Sequence, residues 1–314
     1  MNTDQVTKTT LELAQRQLAT YKQLARASEF VPSSDNPSFC FITPIDYLAQ
    51  FASKSRTHLV LAHLVDQDPS QRYGDFYRKR RNEGDYVMMD NSAYELKEPY
   101  SPDKLLTLSQ QCGAHAIVLP DYPFQPANVT VKAAQQFAPI FREAGLQNFF
   151  VPQSERGDLE DWINAYVWAA QNPDIDIIGM SILGIPNALP HIPPSYARVV
   201  MTQLLIDRGV FDFNKHHHYL GLNSGPALEI PALVKMKALT TIDSSGPVWT
   251  AILGHEYSIN TDSYLSVSKP TTPVDFHLPL TKNKETLERI NHNVDMTLGL
   301  FNNNSEEKVW YAQE

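Results

Sequence analysis

Cysteine is nearly missing from this chain: Cys40 and Cys112 are the only two in 314 residues. They form no C-x-x-C pair, which excludes a multi-cysteine zinc site. Cys40 falls in an expected strand and Cys112 in an expected helix, so both read as buried thiols rather than a disulfide. No stretch approaches the roughly 20 consecutive apolar residues of a membrane span. The opening Met1-Asn2-Thr3-Asp4-Gln5 is polar, unlike a secretory signal. The expectation is a soluble, cytoplasmic protein with no membrane partner. Positive charge is also short. With 26 Lys and Arg against 35 Asp and Glu, the net charge of −9 gives no global attraction for nucleic acid. No G-x-G-x-x-G follows an apolar run, which weakens a dinucleotide-binding reading. His255-Glu256 lacks the second histidine of H-E-x-x-H, and Ser244-Ser245-Gly246 is not a G-x-S-x-G elbow.

What is present is a globular composition, 42% apolar and 19% charged. Residues 1–30 have helical spacing, with Leu11, Ala14, Leu18 and Tyr21 on one face. A turn-rich link, Pro32 to Pro37, follows. Eight strand-like runs then alternate with helical stretches: Phe39–Thr43, His58–Leu64, Tyr86–Asp90, Ala116–Asp121, Phe149–Gln153, Ile175–Ile182, Tyr219–Asn223 and Leu239–Asp243. Near-continuous apolar strands separated by helices predict a parallel sheet covered on its outer side. Eight units predict an α/β fold, a (β/α)8 TIM barrel, with a doubly wound open sheet as the alternative. The expected organisation is an N-terminal helix and linker over 1–36, a barrel over 37–302 and a tail over 303–314. An insertion at about 246–282 would separate strand eight from its closing helix.

Active sites of such barrels form at the carboxyl ends of the strands. Asp90 ends strand three, followed by Asn91, Ser92 and Tyr94. Strand four ends in Pro120-Asp121-Tyr122, strand five in Pro152-Gln153-Ser154, strand six in Gly179-Met180-Ser181. Strand seven ends in Gly221-Leu222-Asn223 and strand eight in Asp243-Ser244-Ser245. One mouth would thus hold three aspartates with amides and small residues, groups suited to the edge of a flat heterocycle. Any one strand-end Asp also reads as a helix N-cap. The run Arg78-Lys79-Arg80-Arg81 reads either as a solvated helix face or as a phosphate-contacting patch. Lys8, Arg16, Lys22, Arg26, Lys269 and Lys282 are further candidate contacts. His216-His217-His218 reads as a polar surface run ahead of strand seven, at the end opposite the site. Trp249 reads as packing.

The order of these segments resembles the tRNA-guanine transglycosylase (queuine tRNA-ribosyltransferase-like) superfamily, over roughly residues 85–250. Asp90-Asn91-Ser92-Ala93-Tyr94-Glu95 is similar to its D-S-G-G-[FY]-Q motif, without the glycine pair. Asp121 matches its strand-four Asp, and Gln153 matches the Gln of V-Q-G, with Ser154 in place of glycine. Gly179-Met180-Ser181-Ile182-Leu183-Gly184 corresponds to its glycine-rich strand-six segment. Tyr219-Leu220-Gly221-Leu222-Asn223-Ser224-Gly225-Pro226 looks like Y-L-M-G-V-G-x-P, and Asp243 matches the Asp of F-D-C-x-x-P-T-R. The chain departs from the family's tRNA enzymes by lacking their C-x-C-x-x-C…H zinc site and the arginine beyond the nucleophile. The short, zinc-less form is similar to the phage branch that modifies guanine in DNA.

The resemblance implies replacement of guanine in DNA by a free 7-deazaguanine such as preQ0, with guanine as product, in a host cytoplasm if phage-encoded. It implies no cofactor and no metal, and a homodimer is possible. Asp243 would attack the sugar C1′ and Asp90 would act as acid and then base. Asp121, Gln153, Asn223 and backbone near Gly179 and Ser181 would read the base, and Tyr94 and Tyr122 would cover its faces. The alternatives are tRNA as substrate, a glycoside hydrolase using the same two aspartates, and a non-catalytic subunit.

Overall fold

The computed structural model describes residues 30–302 apart from Lys97, Ser268 and Lys269. The expected N-terminal helix and C-terminal tail lie outside the described residues. Eight parallel strands form one sheet: β1 (Ser38–Phe41), β2 (Thr57–Leu61), β3 (Tyr86–Asp90), β4 (Ala116–Val118), β5 (Gln147–Phe150), β6 (Ile177–Gly179), β7 (His216–Tyr219) and β8 (Thr241–Ser244). Their order, β1-β8-β7-β6-β5-β4-β3-β2, is that of a nearly closed (β/α)8 barrel. β1 and β2 complete the ring side by side, bridged by the hydroxyls of Ser38 and Ser55 at 3.1 Å.

Helices between the strands cover the barrel, among them Pro102–Cys112, Ala127–Glu143, Leu159–Gln171, Pro194–Asp207 and Pro226–Lys235. Both thiols are free and buried. Among the described residues no helix is long and apolar enough to cross a membrane.

Strand ends depart from the expected ones for identifiable reasons. β4 stops at Val118 because Pro120 has no N–H to give a ladder. β2 stops at Leu61, and the next residues turn into a helix, Ala62–Gln67, which carries His63 to the barrel mouth. β7 is the larger correction. The three histidines are not a surface run before the strand; they are the strand, with His217 and His218 buried. Each imidazole is accommodated by a polar partner. His217 meets the Tyr166 hydroxyl at 2.8 Å, and His216 and His218 meet the Thr241 hydroxyl at 2.6 and 2.7 Å.

The segment after β8 begins with a helix, Gly246–Ile252, so the irregular stretch is shorter than expected and runs from Leu253 to the closing helix Lys284–Gly299. That stretch arches over one side of the mouth. Leu265 donates to Ser224 O, the Tyr264 and Ser195 hydroxyls meet at 2.8 Å, and Ile45 donates to Phe276 O. Trp249 is buried beneath it and donates its indole N–H to Thr272 O.

Candidate functional site

Asp243 sits third in β8, beside Cys40 of β1, and is 6% exposed. Two donors meet its Oδ1: the Gly221 backbone N–H at 2.8 Å and His218 Nε2 at 3.1 Å. Gly221 can aim its N–H there because its φ is +79°, a left-handed value that favours glycine. A Cβ at Gly221 would also stand 2.9 Å from Ile182 Cγ2. The Cys40 thiol is pushed well up, first by burial and then by the Asp243 charge, so it is no nucleophile.

Asp90 ends β3 and is half-buried. Its Oδ2 accepts from Ser92 N at 2.9 Å. Its carboxyl is raised well above the ordinary value, chiefly by burial, with Glu95, Asp121 and Asp243 adding repulsion. A group this shifted carries a proton where an ordinary carboxylate has lost it. All three acids stand at or just beyond the carboxyl ends of parallel strands, at one mouth of the barrel.

Asp121 is the hub of an amide network. Asn91 Nδ2 donates to its Oδ1 at 2.7 Å and Gln153 Nε2 to its Oδ2 at 2.7 Å. Burial raises its carboxyl while these two amides pull it back. Asn91 also donates to Leu119 O at 2.9 Å and accepts from Ala93 N at 2.9 Å, so it ties β3 to β4. Gln153 is 2% exposed, yet its Oε1 has no hydrogen-bond partner. A buried acceptor without a donor is costly, and a ligand N–H would satisfy it.

The other residues expected at the mouth divide in two. Tyr122 is exposed immediately beyond Asp121. Tyr94 lies in the short helix Ala93–Leu96 beyond Asp90; its side chain is outside the described set. Three have local structural work instead. Gly179 is required by packing, since a Cβ there would stand 2.8 Å from Val151 and 2.9 Å from the Phe149 ring. Ser181 Oγ accepts from Leu183 N and Gly184 N, starting the helix Gly184–Ala188. Asn223 accepts from Gly225 N and donates to Ser195 O.

The basic run is not brought to the mouth. Arg78, Lys79, Arg80 and Arg81 lie at the carboxyl end of the helix Arg72–Asn82, which feeds the amino end of β3. Arg80 pairs with Asp85 at 2.6 Å and Glu83 at 2.8 Å. Arg78 donates to Gln111 O and pairs with Asp75, and Lys79 pairs with Glu83. The patch therefore serves the opposite end of the barrel and is removed from the candidate contacts at the site. Lys269 lies outside the described residues; Lys282, just ahead of the closing helix, is exposed.

Sequence reasoning missed His218, His63 and a buried ion pair. His63 is 7% exposed; its N and Nδ1 both meet Ser92 Oγ, at 3.1 and 3.0 Å. Burial lowers its imidazole below the ordinary value. Arg198 and Glu229, both fully buried, form a bidentate pair at 2.7 and 2.6 Å. Arg198 also donates to Met180 O, Leu220 O and Gly221 O. This guanidinium, with its N–H donors fully engaged, pins the loops after β6 and β7 and so holds Gly221 against Asp243. The apolar run continues through Leu64 and Val65 and so hid the end of β2 at Leu61, and nothing in the sequence links Arg198 to Glu229.

Among the described residues no group of three or more His, Cys, Asp or Glu side chains is arranged to hold a metal ion. No protein-family model matches the chain, and no curated protein matches it either.

Proposed function

We propose that the protein is a base-exchange transglycosylase that replaces guanine in DNA with a 7-deazaguanine base through a covalent aspartyl–sugar intermediate. The observation that carries this reading is the contrast between two converging acids. Asp243 has two donors held on one of its oxygens, whereas burial raises the Asp90 carboxyl well above its ordinary value. One acid suited to attack and one suited to protonate is the division of labour of retaining glycosyl transfer.

In the first half-reaction an Asp243 oxygen forms a bond to C1′ as the bond from C1′ to the purine nitrogen breaks. The bonding pair leaves with guanine, which takes the Asp90 proton. In the second half the incoming base attacks C1′, its proton goes to Asp90, and the Asp243 carboxylate departs. Proton transfer of this kind contributes about 10²–10⁴ in rate. Asp121 and Gln153 supply the edge for the base, with the unpartnered Gln153 Oε1 as the open position, and Asn91 holds Asp121 in place. The target nucleotide must be flipped or unpaired, at a cost of a few kcal/mol. The choice of DNA rests on the resemblance to the zinc-less branch.

The test is incubation of the protein with DNA or with tRNA and an isotopically labelled 7-deazaguanine, followed by nucleoside mass spectrometry. Label in DNA nucleosides supports the reading; label only in tRNA moves the substrate; label in neither overturns base exchange. Asp243→Ala is expected to abolish covalent trapping of DNA on a denaturing gel.

A further inference from the structure

We propose that His218 is a positioning residue that assigns the two oxygens of Asp243, Oδ1 to be held and Oδ2 to attack. This inference rests on the transglycosylase reading for its chemical consequence, but its structural content stands apart from it.

The argument starts from what fills the barrel. The interior of such barrels is ordinarily stacked with bulky branched side chains. Here a polar line runs along it instead: His216 Nε2, Thr241 Oγ1, His218 Nδ1, then His218 Nε2 and Asp243 Oδ1, with separations of 2.6, 2.7 and 3.1 Å. A threonine hydroxyl has one proton, so it donates to one imidazole and accepts from the other. Asp243 Oδ1 already accepts from Gly221 N, and a His218 that donates to the same oxygen carries its proton on Nε2. Nδ1 is then bare and takes the Thr241 proton, and Thr241 accepts from His216 Nε2. Every donor meets an acceptor in that one polarity. The reverse polarity sets a bare Nε2 against the carboxylate.

His218 is fully buried, the Phe149 ring meets it edge-on with centroids 5.4 Å apart, and hydrogen bonds on both ring nitrogens fix its orientation. The titratable groups around the pair are Cys40 on β1, Asp90 on β3 and His216 on β7, and the last is kept neutral by burial. Both donors to Asp243, His218 and Gly221, fall on Oδ1. Oδ2 forms the bond to C1′. Oδ1 becomes the carbonyl oxygen of the ester, and the same two donors receive the charge when the carboxylate is expelled. Fixed donors aimed at an oxygen whose charge changes are the arrangement that electrostatic catalysis requires.

The experiment combines a spectroscopic and a chemical readout on the full chain. Histidine 15N chemical shifts of the unliganded protein at neutral pH report each tautomer, with His218→Gln identifying the His218 signals. The expected result is a His218 protonated at Nε2 and bare at Nδ1, a tautomer kept in Thr241→Val, where the Asp243 carboxyl still accepts from Nε2. A His218 that is protonated at Nδ1, or at both nitrogens, overturns the ladder. In gel trapping with DNA, His218→Leu is expected to lower the trapping rate about 10²-fold, while His218→Gln, which keeps an N–H donor, stays within about tenfold of wild type. A folded His218→Leu that traps like wild type overturns the positioning role. If wild type itself traps nothing, base exchange fails and the 15N tautomer alone decides the ladder.

Discussion

Ser92 holds a backbone that glycine would ordinarily hold. Its φ is +57°. A non-glycine residue there costs roughly 1–2 kcal/mol. The buried Ser92 hydroxyl offsets that cost by bonding His63 N and His63 Nδ1, while Ser92 N donates to Asp90. The left-handed backbone is thus compensated, and Asp90 keeps its oriented donor. The state of Asp90 makes a stability prediction. Its folded carboxyl titrates above the unfolded one, chiefly through burial. The folded state therefore binds the extra proton, and its stability falls as pH rises from the unfolded value of about 4 through the folded one. Asp90→Asn removes that dependence. Urea unfolding should show the variant gaining on wild type from pH 4 toward pH 8, with no gain at the acid end. The same variant should lose about 10²–10⁴ in base-exchange rate.

At the scale of elements, the sequence made some strands legible and hid others. β3 runs over the expected Tyr86–Asp90 because four apolar residues lead directly to one carboxylate. Asp121 and Gln153 lie where expected relative to the mouth, although β4 and β5 end earlier, since Pro120 and Pro152 stop the ladder without moving the side chains beyond it. β7 was illegible because three consecutive histidines carry no apolar signal. Their burial depends on Thr240, Thr241 and Tyr166, which come from other elements. Arg198 and Glu229 were hidden for the same reason: they are 31 residues apart and on different helices. That pair ties the helices Pro194–Asp207 and Pro226–Lys235 to the loops carrying Gly221. Glu229→Ala leaves a buried guanidinium with two donors unmatched. Unfolding titrations should register a loss of about 3–5 kcal/mol.

For the whole molecule, the (β/α)8 architecture was legible from alternation alone, while the distribution of charge around it was not. Arg78–Arg81 read either as a solvated helix face or as a phosphate-contacting patch, and helix direction sends them to the end away from Asp90 and Asp243. At the mouth the exposed cations include Arg156, in the loop after β5, and Lys282. If a polyanion docks there, each phosphate contact contributes about one unit to the slope of log affinity against log salt. Arg156→Ala should lower that slope by about one unit in fluorescence-anisotropy titrations with single-stranded DNA. Lys79→Ala should leave the slope unchanged.

The arch of residues 253–283 is one-sided. Its hydrogen bonds among the described residues include ones to Ser195 and Ser224, on the connections after β6 and β7, and to Ile45 and Tyr47 beyond β1, and its Phe276 ring faces His63 beyond β2. Leu96, Tyr122, Phe124 and Leu183, on the loops of β3, β4 and β6, are left exposed. The opening is therefore a half-roofed porch rather than a ring. A ligand approaching the acids finds its open path on the side of the β3 and β4 loops.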